Sequence, residues 1–293
     1  MRTSLAKYLE EVASNNKSII FLTADLGFGV FDDFRKKFPN RYLNVGIAEA
    51  GMVSVATGLA SKGFIPIVYS IASFLIPKTY EQVKLLSVYN ENKIILIGAG
   101  GGLAYSMSGP THHSLDDLSL AYLIPNMNVY APSGPNALIT CLSDSISSSH
   151  SSYIQIGKFG EPNNPNFMDT DNSKVGLISI GVIANDVYNI YNKLLSDGIE
   201  VGFLTLNSIR PLDKRKILKF VSQKEKIIVI EESWGPLSLY SILTELFFQE
   251  EIDVRIIRIG PPHEILSENL ERSTRLNSFG LNYKSFFKML SRE

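Results

Sequence analysis

The 293 residues are 45% hydrophobic and 19% charged, which excludes a disordered chain and supplies enough apolar mass for two cores rather than one. Lys plus Arg is 28 against 29 Asp plus Glu, so the net charge of −1 gives no electrostatic ground for a nucleic-acid partner or an anionic membrane surface. The single cysteine, Cys141, excludes an intrachain disulfide and a cysteine metal cluster, and fits a reducing, cytoplasmic setting.

"MRTSLAKYLEEVASNN" carries acidic residues and no apolar centre, so it does not read as a signal peptide. Nothing approaches the roughly 18 apolar residues of a membrane span. Residues 3–14 predict an amphipathic helix with Leu5, Tyr8, Leu9 and Val12 on its apolar face. "SIIFLTAD" (18–25) is a short apolar run ending in Asp, the pattern of a buried parallel strand. A polar helix at "FDDFRKKFP", a strand at "YLNVG" and a helix rich in small residues over 48–62, closed by Gly63, come next. Strands at "FIPIVYS", "KIILIGAG", "MNVYAPS" and "SSYIQIG" alternate with helices at "TYEQVKLLSVYN", "DLSLAYLIP" and "PNALITCLSDSISS". Such alternation predicts a parallel sheet covered by helices on both faces.

"GEPNNPNFMDTDNS" (160–173) breaks the period with Asn, Pro, Asp and Ser. A second alternating run follows, from "VGLISIG" to "IDVRIIRIG". The expected organisation is therefore α/β in two domains, each a mostly parallel sheet flanked by helices, over 1–160 and 174–293 with a linker at 161–173.

Three stretches hold groups able to do chemistry. In "NVGIAEAGMVSVATGLA" (44–60) the one charge is Glu49, at a helix start. A carboxylate there gains about 0.3–1 kcal/mol from the helix dipole, which is the simplest reading. Its neighbours are too apolar for a solvated face, however. A carboxylate so placed either pairs with a cation or takes up a proton that it can donate, the profile of a catalytic acid. The second stretch, "YSMSGPTHHSLDDL" (105–118), sets adjacent His112 and His113 after a Gly-Pro turn, with Ser114 as a candidate cap for a helix beginning near Leu115. Neighbouring histidines point in different directions, so at most one faces a given pocket. The loop follows a strand, at the end of a parallel sheet where ligands bind. The third, "GAGGGLAYSMSG" (98–109), is glycine-rich but matches neither a dinucleotide fingerprint nor a Walker loop. Phe74, in "SFLIPKTYEQV", reads by itself as core packing placed just before a helix.

Together "TADLG", "YLNVGIAEAGM", "SFLIPKTYEQVK", "GPTHHSLDDLSLAYLIPNMNVYAPS" and "SIRPLDKRKI" resemble, in order and over essentially the whole chain, the carboxy-terminal half of transketolase. That half comprises a pyrimidine-binding domain and a C-terminal domain. The resemblance implies a transferase that moves a two-carbon ketol unit from a ketose to an aldose with thiamine diphosphate and Mg²⁺. It implies that Glu49 hydrogen-bonds the cofactor's aminopyrimidine and favours the tautomer that takes up the thiazolium proton. Phe74 then stacks on that ring, with Ile71 where relatives carry another Phe, and Asp25 lies near the cofactor and a dimer contact. His112 faces the substrate, His113 stands where many relatives have Gln, and Lys158 takes the place of a phosphate-binding Arg, losing its bidentate fork.

Departures from the family pattern fall on the sugar side. Ser108 replaces an aspartate that reads a substrate hydroxyl, Gly100 replaces a histidine, and Ser233 replaces a histidine after a Glu pair in the second domain. The resemblance therefore implies an unusual sugar or sugar phosphate. "GDG", the family segment that holds the diphosphate and metal, does not occur in this sequence, so this chain offers no metal ligands of its own. The expected assembly is a split enzyme in which a separate N-terminal subunit supplies the diphosphate-binding half, most simply as α2β2. The C-terminal domain is expected to serve packing and dimer contact. Competing readings are the β subunit of a 2-oxo acid dehydrogenase, against which "GPTHH" argues, a deoxyxylulose-phosphate-synthase-like enzyme, and a non-catalytic regulatory subunit.

Overall fold

The short apolar runs form strands that build two sheets. The computed structural model describes residues 1–158, the backbone of 167–168, and residues 173–290. In the first sheet, β1 (Ile19–Thr23), β2 (Tyr42–Asn44), β3 (Ile65–Ile71), β4 (Ile95–Ala99), β5 (Asn128–Tyr130) and β6 (Ser152–Ile156) are all parallel, in the order β5-β6-β4-β3-β1-β2. The register sets Phe21 opposite Ile67 and Ile67 opposite Ile95 across the middle of the sheet. Every residue of β1 and β4 is buried, which is why those runs show no polar alternation. Helices α1 (Arg2–Asn15), α2 (Asp32–Lys37), α3 (Glu49–Ala60), α4 (Ala72–Gln82), α5 (Asp117–Leu123) and α6 (Pro135–Ser147) make the connections.

The second sheet is built from β7 (Phe167–Met168), β8 (Val175–Ile180), β9 (Gly202–Leu206), β11 (Lys226–Ile230) and β12 (Arg255–Ile259), in the order β12-β11-β8-β9-β7. Its strands are parallel except β7, which runs antiparallel to β9. Helices α7 (Ala184–Ser196), α8 (Lys214–Val221) and α9 (Leu239–Gln249) flank it, and α10 (Arg272–Ser278) and α11 (Tyr283–Leu290) end the described chain. The fold is the expected two-domain α/β arrangement. Most of the stretch expected as a linker, 161–173, lies outside the described residues; the exceptions are β7 and Ser173, whose hydroxyl accepts from Lys224 Nζ at 2.8 Å.

Three features differ from the sequence expectation. Strand β10 (Ser208–Arg210) leaves the second domain and pairs antiparallel with β5 at the edge of the first sheet. Three residues are too few to show a period. Helix α4 starts at Ala72, not near Thr79, and passes through Pro77 before continuing as a π-helical stretch over Val83–Tyr89. A proline inside a helix costs about 3 kcal/mol. Burial of Leu75, Ile76 and Thr79 beside it offsets that cost. Ser114 caps no helix, because α5 begins at Asp117 and Ser114 instead exchanges two backbone hydrogen bonds with Gly102.

One apolar cluster runs through both domains, joining Leu118 and Val129 to Leu206, Ile209, Ile217 and Leu243. Arg210 reinforces this junction by donating to the carbonyls of Tyr122, Ile124 and Met127. Among the described residues no helix is long and apolar enough to cross a membrane.

Candidate functional site

The sequence-selected residues gather at the carboxyl ends of the parallel strands of the first sheet. Asp25 follows β1, Ile71 ends β3, and Lys158 follows β6. This is where open α/β sheets present loops to ligands. At the β1 and β2 ends, Asn44 Oδ1 accepts from the backbone N–H groups of Asp25 and Gly46, both at 3.0 Å. Its amide also donates to the Asp25 carboxylate at 3.1 Å. Asp25 has φ +55° and is exposed, so its carboxylate ties two strand ends together at the rim of the site.

From Asn44 the chain turns through Gly46 (φ +73°) into α3, which starts at Glu49. The Glu49 side chain is 6% exposed. Ser70 Oγ donates to Oε1 at 3.4 Å and Lys78 Nζ to Oε2 at 3.5 Å. Both contacts are long for hydrogen bonds to a carboxylate, which ordinarily close to about 2.7–2.9 Å for a cationic nitrogen. The alternative left open for a buried carboxylate is thus resolved in part: a cation stands by, at a loose distance. Lys78 Nζ also lies 4.3 Å from the centroid of the Phe74 ring, on the first turn of α4. Phe74 is half-buried and meets the His112 ring edge-on at 5.0 Å.

His112 and His113 diverge. The half-buried His112 faces Phe74 and, at 6.1 Å, Tyr105, and its Nδ1 is 2.9 Å from Thr111 Oγ1. His113 turns inward, where its Nε2 meets the Ser106 carbonyl at 3.1 Å. A carbonyl only accepts, so that nitrogen carries the proton. Burial holds the His113 pKa below the ordinary histidine value, so the ring is neutral near pH 7. Ser108 is exposed on the same loop, and Lys158 Nζ sits 4.6 Å from the Tyr105 ring centroid. Glu49, Phe74, His112 and Lys158 therefore form one chain of contacts through Lys78 and Tyr105. Ile71 caps the start of α4 beneath it, while Asp25, Ser108 and His113 stand to its sides.

Sequence reasoning missed several members. Lys78 lies four residues after Phe74, so one helical face brings them together. A helix started at Ala72 would have shown that pairing. Tyr105 explains Gly100: at φ +75°, a Cβ there would fall 2.0 Å from the Tyr105 ring. The ring occupies the space that a side chain at position 100 would need. Under the glycine loop, the fully buried Asp117 accepts from Tyr153 Oη at 2.5 Å and from Gln155 Nε2 at 2.8 Å. Burial pushes its pKa up to about 6, against the opposing pull of those hydrogen bonds. Cys141 is buried and its thiol is pushed up to about 12, so it is chemically quiet. Among the described residues no group of three or more His, Cys, Asp or Glu is placed to hold a metal ion.

Residues 1–158 match the transketolase pyrimidine-binding domain, and residues 168–284 match the transketolase C-terminal domain. An apulose-4-phosphate transketolase subunit of Phocaeicola vulgatus is 29% identical, over 91% of this chain and 91% of that protein. Its namesake from Actinobacillus succinogenes is 31% identical over 78% of this chain and 76% of its own. A solved split-gene transketolase, described as an inactive beta4 tetramer, superposes with a TM-score of 0.85 at 23% identity, covering 99% of this chain and 97% of its own.

Proposed function

The chain belongs to the transketolase family, and on that premise we propose that it is the half of a split transketolase that carries the pyrimidine-binding and C-terminal domains. It acts with a separate N-terminal subunit, thiamine diphosphate and Mg²⁺, and transfers a two-carbon ketol unit from an unusual ketose to an aldose. The observation that carries this reading is the loosely held Glu49 carboxylate beside the half-buried Phe74 ring and His112.

The donor set fits one end of the cofactor and not the other. A flat aminopyrimidine with a basic ring nitrogen suits a buried carboxylate next to an aromatic ring: Glu49 would hold the nitrogen and Phe74 the ring face. When bound, the cofactor supplies a thiazolium carbon acidic enough to become the nucleophile toward a ketose carbonyl. A diphosphate with Mg²⁺ needs hard oxygen ligands, and the described residues offer no such cluster. This favours a second chain as the carrier of that end.

This chain's own residues then have distinct tasks. Glu49 holds or shares a proton at the pyrimidine ring. Its apolar surroundings keep water from competing for that bond. His112, on the rim between Phe74 and Tyr105, is placed to hydrogen-bond a substrate oxygen. Lys158 offers a point charge for a phosphate or other anionic terminus. Asp25 and His113 brace the loops that line the pocket, and the exposed Ser108 hydroxyl can read a sugar hydroxyl more weakly than a carboxylate. The relatives named for apulose 4-phosphate support a non-standard, phosphorylated donor. Self-association is supported by the exposed, uncharged face formed by Ile47, Ala50, Gly51, Ser54, Val55 and Gly58 at α3, next to Glu49. A lone cysteine fits work in the cytoplasm.

Calorimetry with thiamine diphosphate and Mg²⁺ tests the assembly, on the chain alone and with a candidate N-terminal subunit. Binding is expected only in the mixture, followed by ketol transfer from apulose 4-phosphate in preference to xylulose 5-phosphate. Tight binding by the lone chain would overturn the split site. Equal rates on the two donors would overturn the unusual sugar.

A further inference from the structure

The loop that carries Tyr105, Ser108, His112 and His113 is held from the other domain. Gly102 and Ser114 close it at its base with two backbone hydrogen bonds, of 3.0 and 2.9 Å. Against that base lies Glu232, buried at the end of β11 in the C-terminal domain. Its carboxylate lies close to the backbone N–H of Leu103, which favours its charged form. Gly102 has φ +62°, and a Cβ there would fall 2.5 Å from Glu232 Oε2, so only a glycine leaves room for the carboxylate. Two residues on, the backbone N–H of Trp234 donates to the Leu115 carbonyl at 2.8 Å, just past the histidines. Asn269 presses on the same loop from a third side, since a Cβ at Gly109 would lie 2.7 Å from its Oδ1.

Glu232 is itself fixed from behind. Arg272 Nε, at the start of α10, is 2.6 Å from Glu232 Oε1, and Arg272 also donates to Asp186 Oδ2 at 2.9 Å. A buried carboxylate costs several kcal/mol unless its partners are well placed. This one is held by Arg272 against a loop of another domain, where Gly102 leaves it room. The neighbouring Glu231 is more deeply buried but stays within its own domain, bonded to Ser238 Oγ at 2.6 Å and Arg258 Nε at 2.8 Å.

We propose that Glu232, clamped by Arg272 (which Asp186 holds in turn), is a positioning residue: through Gly102–Leu103 it sets the loop that presents His112 beside Phe74. The C-terminal domain thus has a task in the site beyond packing. The proposal deepens the transketolase reading and rests on it for its catalytic meaning. The geometry it asserts is tested on the full chain without cofactor, partner or turnover.

The readout is the ring-to-ring contact between His112 and Phe74, 5.0 Å between centroids, followed as a nuclear Overhauser cross-peak in histidine- and phenylalanine-labelled protein. With four histidines in the chain, His→Gln variants assign the signals, and His150 serves as a distant control. Glu232→Gln is expected to lose the His112–Phe74 cross-peak while His150 stays unmoved. Glu231→Gln, the buried neighbour that does not reach the loop, is expected to lower the melting temperature yet keep the cross-peak. Retention of the cross-peak in Glu232→Gln, or its equal loss in Glu231→Gln, would overturn the proposal. Should Glu232→Gln not fold, Gly102→Ala attacks the same contact from the loop side, and an intact cross-peak there would overturn it equally. The transketolase reading fails separately, by absence of ketol transfer in the wild-type assembly.

Discussion

Glu49 and Glu232 are both carboxylates inside the protein, 5% and 8% exposed, and they are held in opposite ways. Glu232 has a guanidinium at 2.6 Å and lies against the backbone of Gly102. Glu49 has a hydroxyl at 3.4 Å and a half-exposed ammonium at 3.5 Å. A buried charge held close by a fixed cation has little capacity left for a ligand, and its worth lies in what it fixes. A loosely satisfied one at the carboxyl edge of a parallel sheet keeps capacity for an incoming group. We propose that the first pattern is a brace between domains and the second a site.

The largest effect that could break this comparison is on turnover. Glu49→Gln in the assembled enzyme is expected to lower ketol transfer by about 10²–10⁴-fold, the usual worth of a positioned acid or base, with little change in melting temperature. Near-normal rates would remove Glu49 from the site. Next in size, Glu232→Ala leaves Arg272 with Asp186 alone, at 2.9 Å, and denaturant titration is expected to show a loss of about 1–3 kcal/mol. A loss as small as that of a surface pair would mean that the brace is not one.

Asp117 sharpens the contrast through pH. Its folded pKa of about 6 lies above the ordinary carboxyl value, so between roughly pH 4 and 6 the folded state binds more protons than the unfolded one. Stability attributable to Asp117 is therefore present at the acid end of that window and is lost as pH rises to about 6. Melting temperatures recorded from pH 4 to 7.5 should fall along this slope in the wild type and flatten in Asp117→Asn; parallel curves would refute it. A smaller effect, about 0.5–1.5 kcal/mol of cofactor affinity beyond simple area, is expected from Phe74→Leu by calorimetry on the mixture. Smallest of all, Glu225→Gln breaks the exposed pair with Lys174, 3.0 Å apart, and should shift stability by less than about 1 kcal/mol.

Much of the layout was legible because burial on both faces leaves a plain signature. "IIFLT" and "ILIGA" contain no charge, and they became the fully buried β1 and β4. Glu49 stood out for the complementary reason, a charge where the pattern permits none. Less legible was anything whose cause is distant in sequence. The helix expected from Thr79 onward starts instead at Ala72 and runs through Pro77, with Leu75, Ile76 and Thr79 buried around it. Strand β10 is three residues long and exists because β5 offers an edge.

By itself the sequence determined the class of fold, since apolar period and turns are local properties of the chain, and its motifs carried the resemblance that singled out the family and the residues worth testing. Only the tertiary structure decided how those residues are held. Lys78 reaches Glu49 across two helices, Tyr105 fills the space above Gly100, and Glu232 meets Leu103 from 129 positions away. Contacts of that kind depend on distances between elements, and no periodicity along one element encodes them.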